Sequence, residues 1–202
     1  MSEPTEQMDK PKAAEETTLR WSDPFDRLVV GQRFQSAERT VTEAEVIGFC
    51  ALTGDWHPQH CDPAWAAKSP FGERIAHGML ILSFAVGLVA LDPERVLALR
   101  RVSDVIFKRP VRLGETISVA GELTARTPID ERAGLVDFSW SVRNQTGALV
   151  CRASLQVLWR RDVPPSVEQA VPPASAGADT TGFWHEAIAA EIAPGEFTPV
   201  PL

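Results

Sequence analysis

The chain of 202 residues has little cysteine, no long apolar run and, in its last forty residues, no Lys or Arg. Cys50, Cys61 and Cys151 are too few and too scattered for a disulfide framework, and none sits in a Cys-x-x-Cys pair. A disulfide-stapled secreted fold is therefore excluded, and a reducing, cytoplasmic setting is expected. No stretch reaches the roughly 18 apolar residues that span a bilayer, and the N-terminus is polar and acidic rather than basic then apolar. Neither membrane insertion nor secretion is expected. The net charge is -7, but it sits at the ends. Residues 1–20 carry five acids and three bases, residues 163–202 carry five acids and no base, and 17 of each sign remain between them. The neutral centre is free to hold a local basic patch. No nucleic-acid motif accompanies it.

What is present suffices for one domain with tails: 44% of the residues are hydrophobic. Residues 1–20 are too polar to offset ordering entropy and read as a disordered arm. Val163 to Gly182 holds Pro164, Pro165, Pro172 and Pro173 among small residues, as an extended linker does. Beyond it, Trp184, Ile188 and Ile192 recur at helical spacing, so Phe183 to Ile192 is expected to form a short helix that docks on the domain or on a partner. The domain is bounded at residues 21–162.

Inside it, Thr42-Glu-Ala-Glu45 has the form of a capping box and opens a helix to about Leu52. Gly54 to Asp62 is rich in Gly, Pro and polar residues and reads as a loop. His77 to Leu91 is apolar around nearly its whole circumference, so a buried central helix of about fifteen residues is expected. The period then changes from 3.6 to 2. Strands are expected over Val96–Phe107, Thr116–Thr124, Leu135–Arg143 and Leu149–Arg160, with a turn at Asn144–Gly147. They form an antiparallel meander whose inner face needs the apolar helix, and the fold class is α+β.

Polar and ionisable side chains concentrate in Thr53-Gly-Asp-Trp-His-Pro-Gln-His-Cys-Asp62 and in Ile75-Ala-His-Gly-Met79. Asp55 and His60, five residues apart, are a carboxylate and an imidazole that can share one water and divide general acid and base work near neutral pH. The same residues also fit a turn with exposed histidines. His77 and Gly78 open the central helix, where unpaired N–H groups and the positive dipole end face whatever lies before them. Gly78 either lets a ligand oxygen approach or permits tight packing. Arg100, Arg101, Lys108, Arg109 and Arg112 place five bases within thirteen residues. They form either a solvated face or a rim for the phosphates of coenzyme A or the acidic surface of an acyl-carrier protein. A metal reading of His57, His60, His77, Asp55 and Asp62 lacks a supporting motif, and no metal is expected.

The run Phe49 to Asp62 resembles the hydratase motif of the MaoC-like dehydratases and (R)-specific enoyl-CoA hydratases, G-D-x-N-P-x-H-x-D. Ser69-Pro-Phe-Gly72, Ile75-Ala-His-Gly-Met-Leu80, Phe107-Lys-Arg-Pro-Val111 and Gly114-Glu115 resemble its later signatures. The similarity covers about Val29 to Arg161, in order. It implies a hot-dog fold, a homodimer, Asp55 and His60 as the catalytic pair, and the Gly78 N–H in the oxyanion hole. It also implies an acyl-thioester pocket to which His57, Pro58, Ser69, Phe71 and His77 contribute. No metal or redox cofactor is implied; coenzyme A or phosphopantetheine enters as substrate carrier. The expected reaction is reversible hydration of a 2-enoyl thioester to an (R)-3-hydroxyacyl thioester. A hot-dog thioesterase and a non-catalytic acyl-thioester-binding subunit are the alternatives. One position departs from the pattern. His57 stands where the family usually has Asn; if that Asn orients the loop, His57 can replace it by offering one neutral ring nitrogen, and if it positions the catalytic water, a changed rate or substrate range is expected. Trp56 and Gln59 occupy variable positions and are expected to shape the pocket at most.

Overall fold

The computed structural model describes residues 18–162; the arm up to residue 17, the Pro-rich linker and the expected C-terminal helix lie outside the described residues. Leu19 is buried and its N–H donates to the Arg33 carbonyl at 2.7 Å, so ordered packing begins ahead of Trp21. After a turn of 3-10 helix at Phe25–Arg27 come two short strands, β1 (Arg33–Gln35) and β2 (Arg39–Thr40). Neither was expected, since two or three residues are too few to carry a period-2 signal.

Helix α1 (Glu43–Thr53) starts as its sequence predicts. The Thr42 side chain accepts from the Glu45 N–H, and the Glu45 carboxylate accepts from the Thr42 N–H at 2.8 Å. Gly54, at φ 78°, ends the helix in a left-handed conformation that a side chain would resist, and turns the chain toward Asp55. The expected loop is only partly a loop. Pro58 begins a one-turn helix, α2 (Pro58–Cys61), and Pro63 begins another, α3 (Pro63–Ala66). Proline lacks an N–H that the first helical position does not use, so a residue read as a helix breaker is here a helix starter.

Helix α4 (Gly78–Leu88) is shorter than expected, and one stripe of it is open. Leu80, Ile81, Leu82 and Ala85 are buried against the sheet, whereas Ser83 and Gly87 are exposed and Met79 is 57% exposed. Apolar composition all round therefore did not mean burial all round within this chain.

Four long strands follow: β3 (Val96–Phe107), β4 (Thr116–Pro128), β5 (Ala133–Asn144) and β6 (Leu149–Arg160). The sheet is antiparallel in the order β1-β4-β5-β6-β3, with β2 also pairing β4. Alternation puts Ile117, Val119 and Leu123 of β4 and Val136, Phe138, Trp140 and Val142 of β5 inward. They meet the buried residues of α4 in one core. Trp21 closes one end, stacked on Trp159 at 5.6 Å and edge-on to Phe34 at 5.1 Å. An antiparallel sheet wrapped on a central helix is the hot-dog fold. No helix among the described residues is long and apolar enough to cross a membrane.

Candidate active site

The segment from α1 to α4 is held by side chains that close its own backbone. Thr53 Oγ1 donates to the Phe49 carbonyl at 2.7 Å and accepts from the Asp55 N–H, while Asp55 Oδ1 accepts from the His57 N–H at 3.2 Å. His57 Nδ1 then accepts from the Gln59 N–H at 3.2 Å and so caps α2, the turn that carries His60. This is the orienting task that a neutral ring nitrogen can take over from Asn. Asp62 caps α3 with bonds from the Ala64 and Trp65 N–H groups.

His60 is 4% exposed and sits on α2 rather than on a loop. Its Nδ1 lies 2.7 Å from the Ile75 carbonyl, which only accepts, so Nδ1 carries the proton and Nε2 keeps a bare lone pair in the neutral ring. Burial pushes the imidazole below its ordinary pKa, opposed by the Ile75 hydrogen bond. The neutral form of His60, the form a base needs, is thus favoured near neutral pH.

His77, 3% exposed, stacks on His60 with ring centres 3.7 Å apart and planes 24° from parallel. Its Nε2 lies 3.1 Å from the Asp55 carbonyl and 3.6 Å from Cys50 Sγ. The carbonyl makes Nε2 the donor and leaves Nδ1 buried without a hydrogen-bond partner. Burial pushes the Cys50 thiol up, so it is no thiolate nucleophile here.

Asp55, 53% exposed at its side chain, has its Oδ2 4.0 Å from His77 Nε2. One side-chain oxygen or nitrogen from each of Asp55, His60 and His77 lies within 4.8 Å of the others. A water donating or accepting two hydrogen bonds of ordinary length at a tetrahedral angle bridges about 4.6 Å. The 4.8 Å bound keeps Asp55 and His60 within about the reach of one shared water. The arrangement suits a metal less well, because in-plane lone pairs of two nearly parallel rings run side by side instead of converging. His57 and Asp62, the other members of the sequence-derived metal set, are occupied as caps.

These groups line a cavity of about 650 Å³. Asp55, Gln59, His60, His77 and Gly78 form its polar wall, with Met79, Ile81, Phe107, Val111 and Val150 supplying apolar surface. α1, α2 and α3 each have a side-chain cap, but α4 has none, so its first N–H groups beside the cavity lack that partner. The dipole adds positive potential at the same place. A β-carbon at Gly78 would come within 2.9 Å of the Phe107 ring, which gives close packing its own claim on this glycine.

The structure brings together Asp55, His60, His77, Gly78, Phe71, Lys108 and Arg109 around the cavity and leaves other expected residues outside it. His57 and Pro58 start α2, and Ser69 holds a turn by donating to the Ala66 carbonyl. Arg100 donates to Gln156, which donates onward to Asp137 across the sheet, and neither Arg100 nor Arg101 lines the cavity. Sequence reasoning missed the polar role of Gln59, whose Nε2 lies 3.0 Å from His60 Nε2. Helix neighbours at i, i+1 do not ordinarily face each other, so spacing carried no signal for it.

The family model described as MaoC like domain matches residues 27–139. Over 122 residues the chain is 34% identical to the (R)-specific enoyl-CoA hydratase of Aeromonas caviae, covering 60% of this chain and 88% of that one. It is 38% identical over 96 residues to protein MaoC of Klebsiella aerogenes, covering 47% of this chain but only 29% of that longer protein. Among solved structures, the monoamine oxidase regulatory protein of Archaeoglobus fulgidus superposes with a TM-score of 0.66 at 37% identity, over 69% of this chain and 95% of that one. With the family match spanning more than half of its length, the chain belongs to the MaoC-like domain family.

Proposed function

We propose that this protein catalyses the reversible addition of water across the α,β double bond of a 2-enoyl thioester, giving a 3-hydroxyacyl thioester. The observation that carries the reading is a buried His60 whose Nε2 is bare, with one ring nitrogen within 4.8 Å of an Asp55 carboxylate oxygen, on the wall of a largely apolar cavity. The hydratase relative from Aeromonas caviae supports the same chemistry.

In hydration, the bridging water gives a proton to the Asp55–His60 pair as its oxygen bonds to the β carbon. The π electrons move toward the thioester carbonyl, and the enolate oxygen is held by the Gly78 N–H at the uncapped end of α4. The α carbon then takes a proton from the protonated pair, so protons balance, and dehydration runs the steps backward. No metal or redox cofactor has a role in these steps. Lys108 and Arg109, at the cavity, are the bases placed to meet the phosphates of coenzyme A or of a phosphopantetheine arm. A homodimer in a reducing, cytoplasmic compartment completes the proposal, in keeping with three unpaired cysteines.

The test is the absorbance of the enoyl-thioester band when purified protein meets crotonyl-CoA or crotonyl-acyl-carrier protein, with a thiol reagent in parallel. Loss of the band without free thiol is expected. Thiol release would make the protein a thioesterase, and silence with both carriers would overturn the reading.

A further inference from the structure

The reading above gives Gln59 nothing to do, yet its carboxamide occupies the one atom on which that reading depends. The Ile75 carbonyl fixes the proton of His60 on Nδ1, so the neighbouring Nε2 can only accept. The 3.0 Å contact from Gln59 Nε2 must therefore be an amide N–H donated into the lone pair of the base. The Gln59 backbone is pinned on both sides, its N–H by His57 Nδ1 and its carbonyl by the Ile75 N–H at 3.1 Å. Only the side chain is left without a backbone restraint, and Gln59 lines the cavity wall.

We propose that Gln59 is a positioning residue for His60: its amide holds the bare Nε2 in the resting site, yields that nitrogen to the reacting water, and turns its oxygen to the imidazolium once the proton has arrived. An amide suits both states because it offers a donor and an acceptor at the same reach. This rests on the hydratase reading for its catalytic meaning, but the contact itself can be read without turnover. The other groups facing His60 are His77, stacked at 3.7 Å, Asp55, and His57 with its ring centre 6.3 Å away. Lys108 and Arg109, just beyond β3, line the same cavity. None of these residues is itself altered when Gln59 alone is changed.

The experiment is a pH titration of the imidazole nitrogens in 15N-labelled full-length protein, wild type against Gln59→Met and Gln59→Glu, with His60 assigned by loss of its signals in His60→Gln. In wild type the neutral His60 ring is expected as the Nδ1–H tautomer. Gln59→Met keeps the bulk but deletes the donor, so the Nε2 resonance of the neutral ring should move downfield as its hydrogen bond is lost, while the titration, which loses a donor to the neutral ring and an acceptor for the imidazolium together, should shift little. Gln59→Glu can only accept and should raise it by about a unit or more. With crotonyl-CoA, Gln59→Met should lower kcat by roughly tenfold, since the imidazolium loses its acceptor, while KM stays level or falls because no amide need be displaced. An Nε2–H tautomer in wild type, or an Nε2 resonance of the neutral ring unmoved by Gln59→Met in a protein whose spectrum remains folded, overturns the proposal. Should wild type fail to turn over any enoyl thioester while the tautomer and the Nε2 resonance behave as stated, the hydratase reading falls and the Gln59 contact stands.

Discussion

The β4–β6 sheet and the segment from Gly54 to Gly78 are held by different forces. In the sheet, backbone ladders run unbroken over most of each strand and buried Val136, Phe138, Leu155 and Val157 fill the inner face. In the segment, Asp55, His57, Asp62 and Ser69 each spend a side-chain atom on a nearby backbone group. The sheet thus stores stability in apolar burial, while the segment keeps polar atoms in set directions with little apolar burial of its own. Changes in the two regions should separate cleanly.

The sharpest break in that comparison is Asp55→Asn. The side chain is half exposed and its isosteric amide can still accept from the His57 N–H, so the fold should be indifferent. Turnover of the enoyl thioester should fall by about 10² to 10⁴-fold, with the melting temperature within roughly 2 °C of wild type. Initial rates and thermal unfolding on the same preparation check this. A large loss of stability would move Asp55 from chemistry to structure.

Trp159→Ala is the converse. The ring is fully buried, stacks on Trp21, and donates from Nε1 to the Asp23 carbonyl at 2.9 Å. Truncation should cost about 3–5 kcal/mol, a fall of roughly 6–20 °C at 2–4 °C per kcal/mol for a chain of this size. The KM measured well below the new midpoint should stay near wild type. A changed KM would mean that the sheet end and the cavity are coupled.

The same contrast decided what could be read from the sequence. Strand alternation is a direct image of burial, so β3 and β6 were expected at the residues where they lie, and the capping box at Thr42 announced α1 because both its partners are local. β4 and β5 run past their expected ends because Arg126, Thr127 and Pro128 pair with β5 although exposed, where no apolar pattern marks a strand. The resemblance put Asp55 and His60 in one site, and the structure brings them together. Left unread were the tautomer of His60 and the stacking of His77 upon it, because both depend on the Ile75 and Asp55 carbonyls supplied by tertiary contact. The charge cluster misled for a related reason. Lys108 and Arg109 reach the cavity while Arg100 does not, since consecutive stretches of one strand and its exit face different surroundings.

Gly78→Ala tests the boundary between the two regions. The added β-carbon would press on the Phe107 ring at 2.9 Å, but that ring is 46% exposed and free to swing, so overpacking should cost about 1 kcal/mol, at the low end of its range. The displaced ring lies in the cavity wall, and kcat/KM should drop by roughly tenfold from misplacement of the bound thioester. Pairing the change with Phe107→Ala separates two causes. Recovery of kcat/KM assigns the glycine to packing against Phe107; no recovery assigns it to close approach of the oxyanion to the helix N-terminus.

The smallest expected effect is a pH dependence confined to one side of the comparison. Burial holds the folded-state pKa of His60 below the ordinary value that the unfolded chain recovers. Between those two values the unfolded chain binds more protons, so stability must rise with pH there. The contribution of neutral His60 is complete above the ordinary histidine value and is lost as pH falls through the folded one. Melting temperatures taken from about pH 7.5 down to about pH 5 should therefore slope less in His60→Gln than in wild type, and equally in Trp159→Ala and wild type. Asp55 opposes the burial effect by favouring the imidazolium, so Asp55→Asn should push the His60 titration lower still and widen the sloping window. A slope that follows the sheet variant instead would place the responsible proton outside the Asp55–His60 pair and deprive the proposed base of its titration.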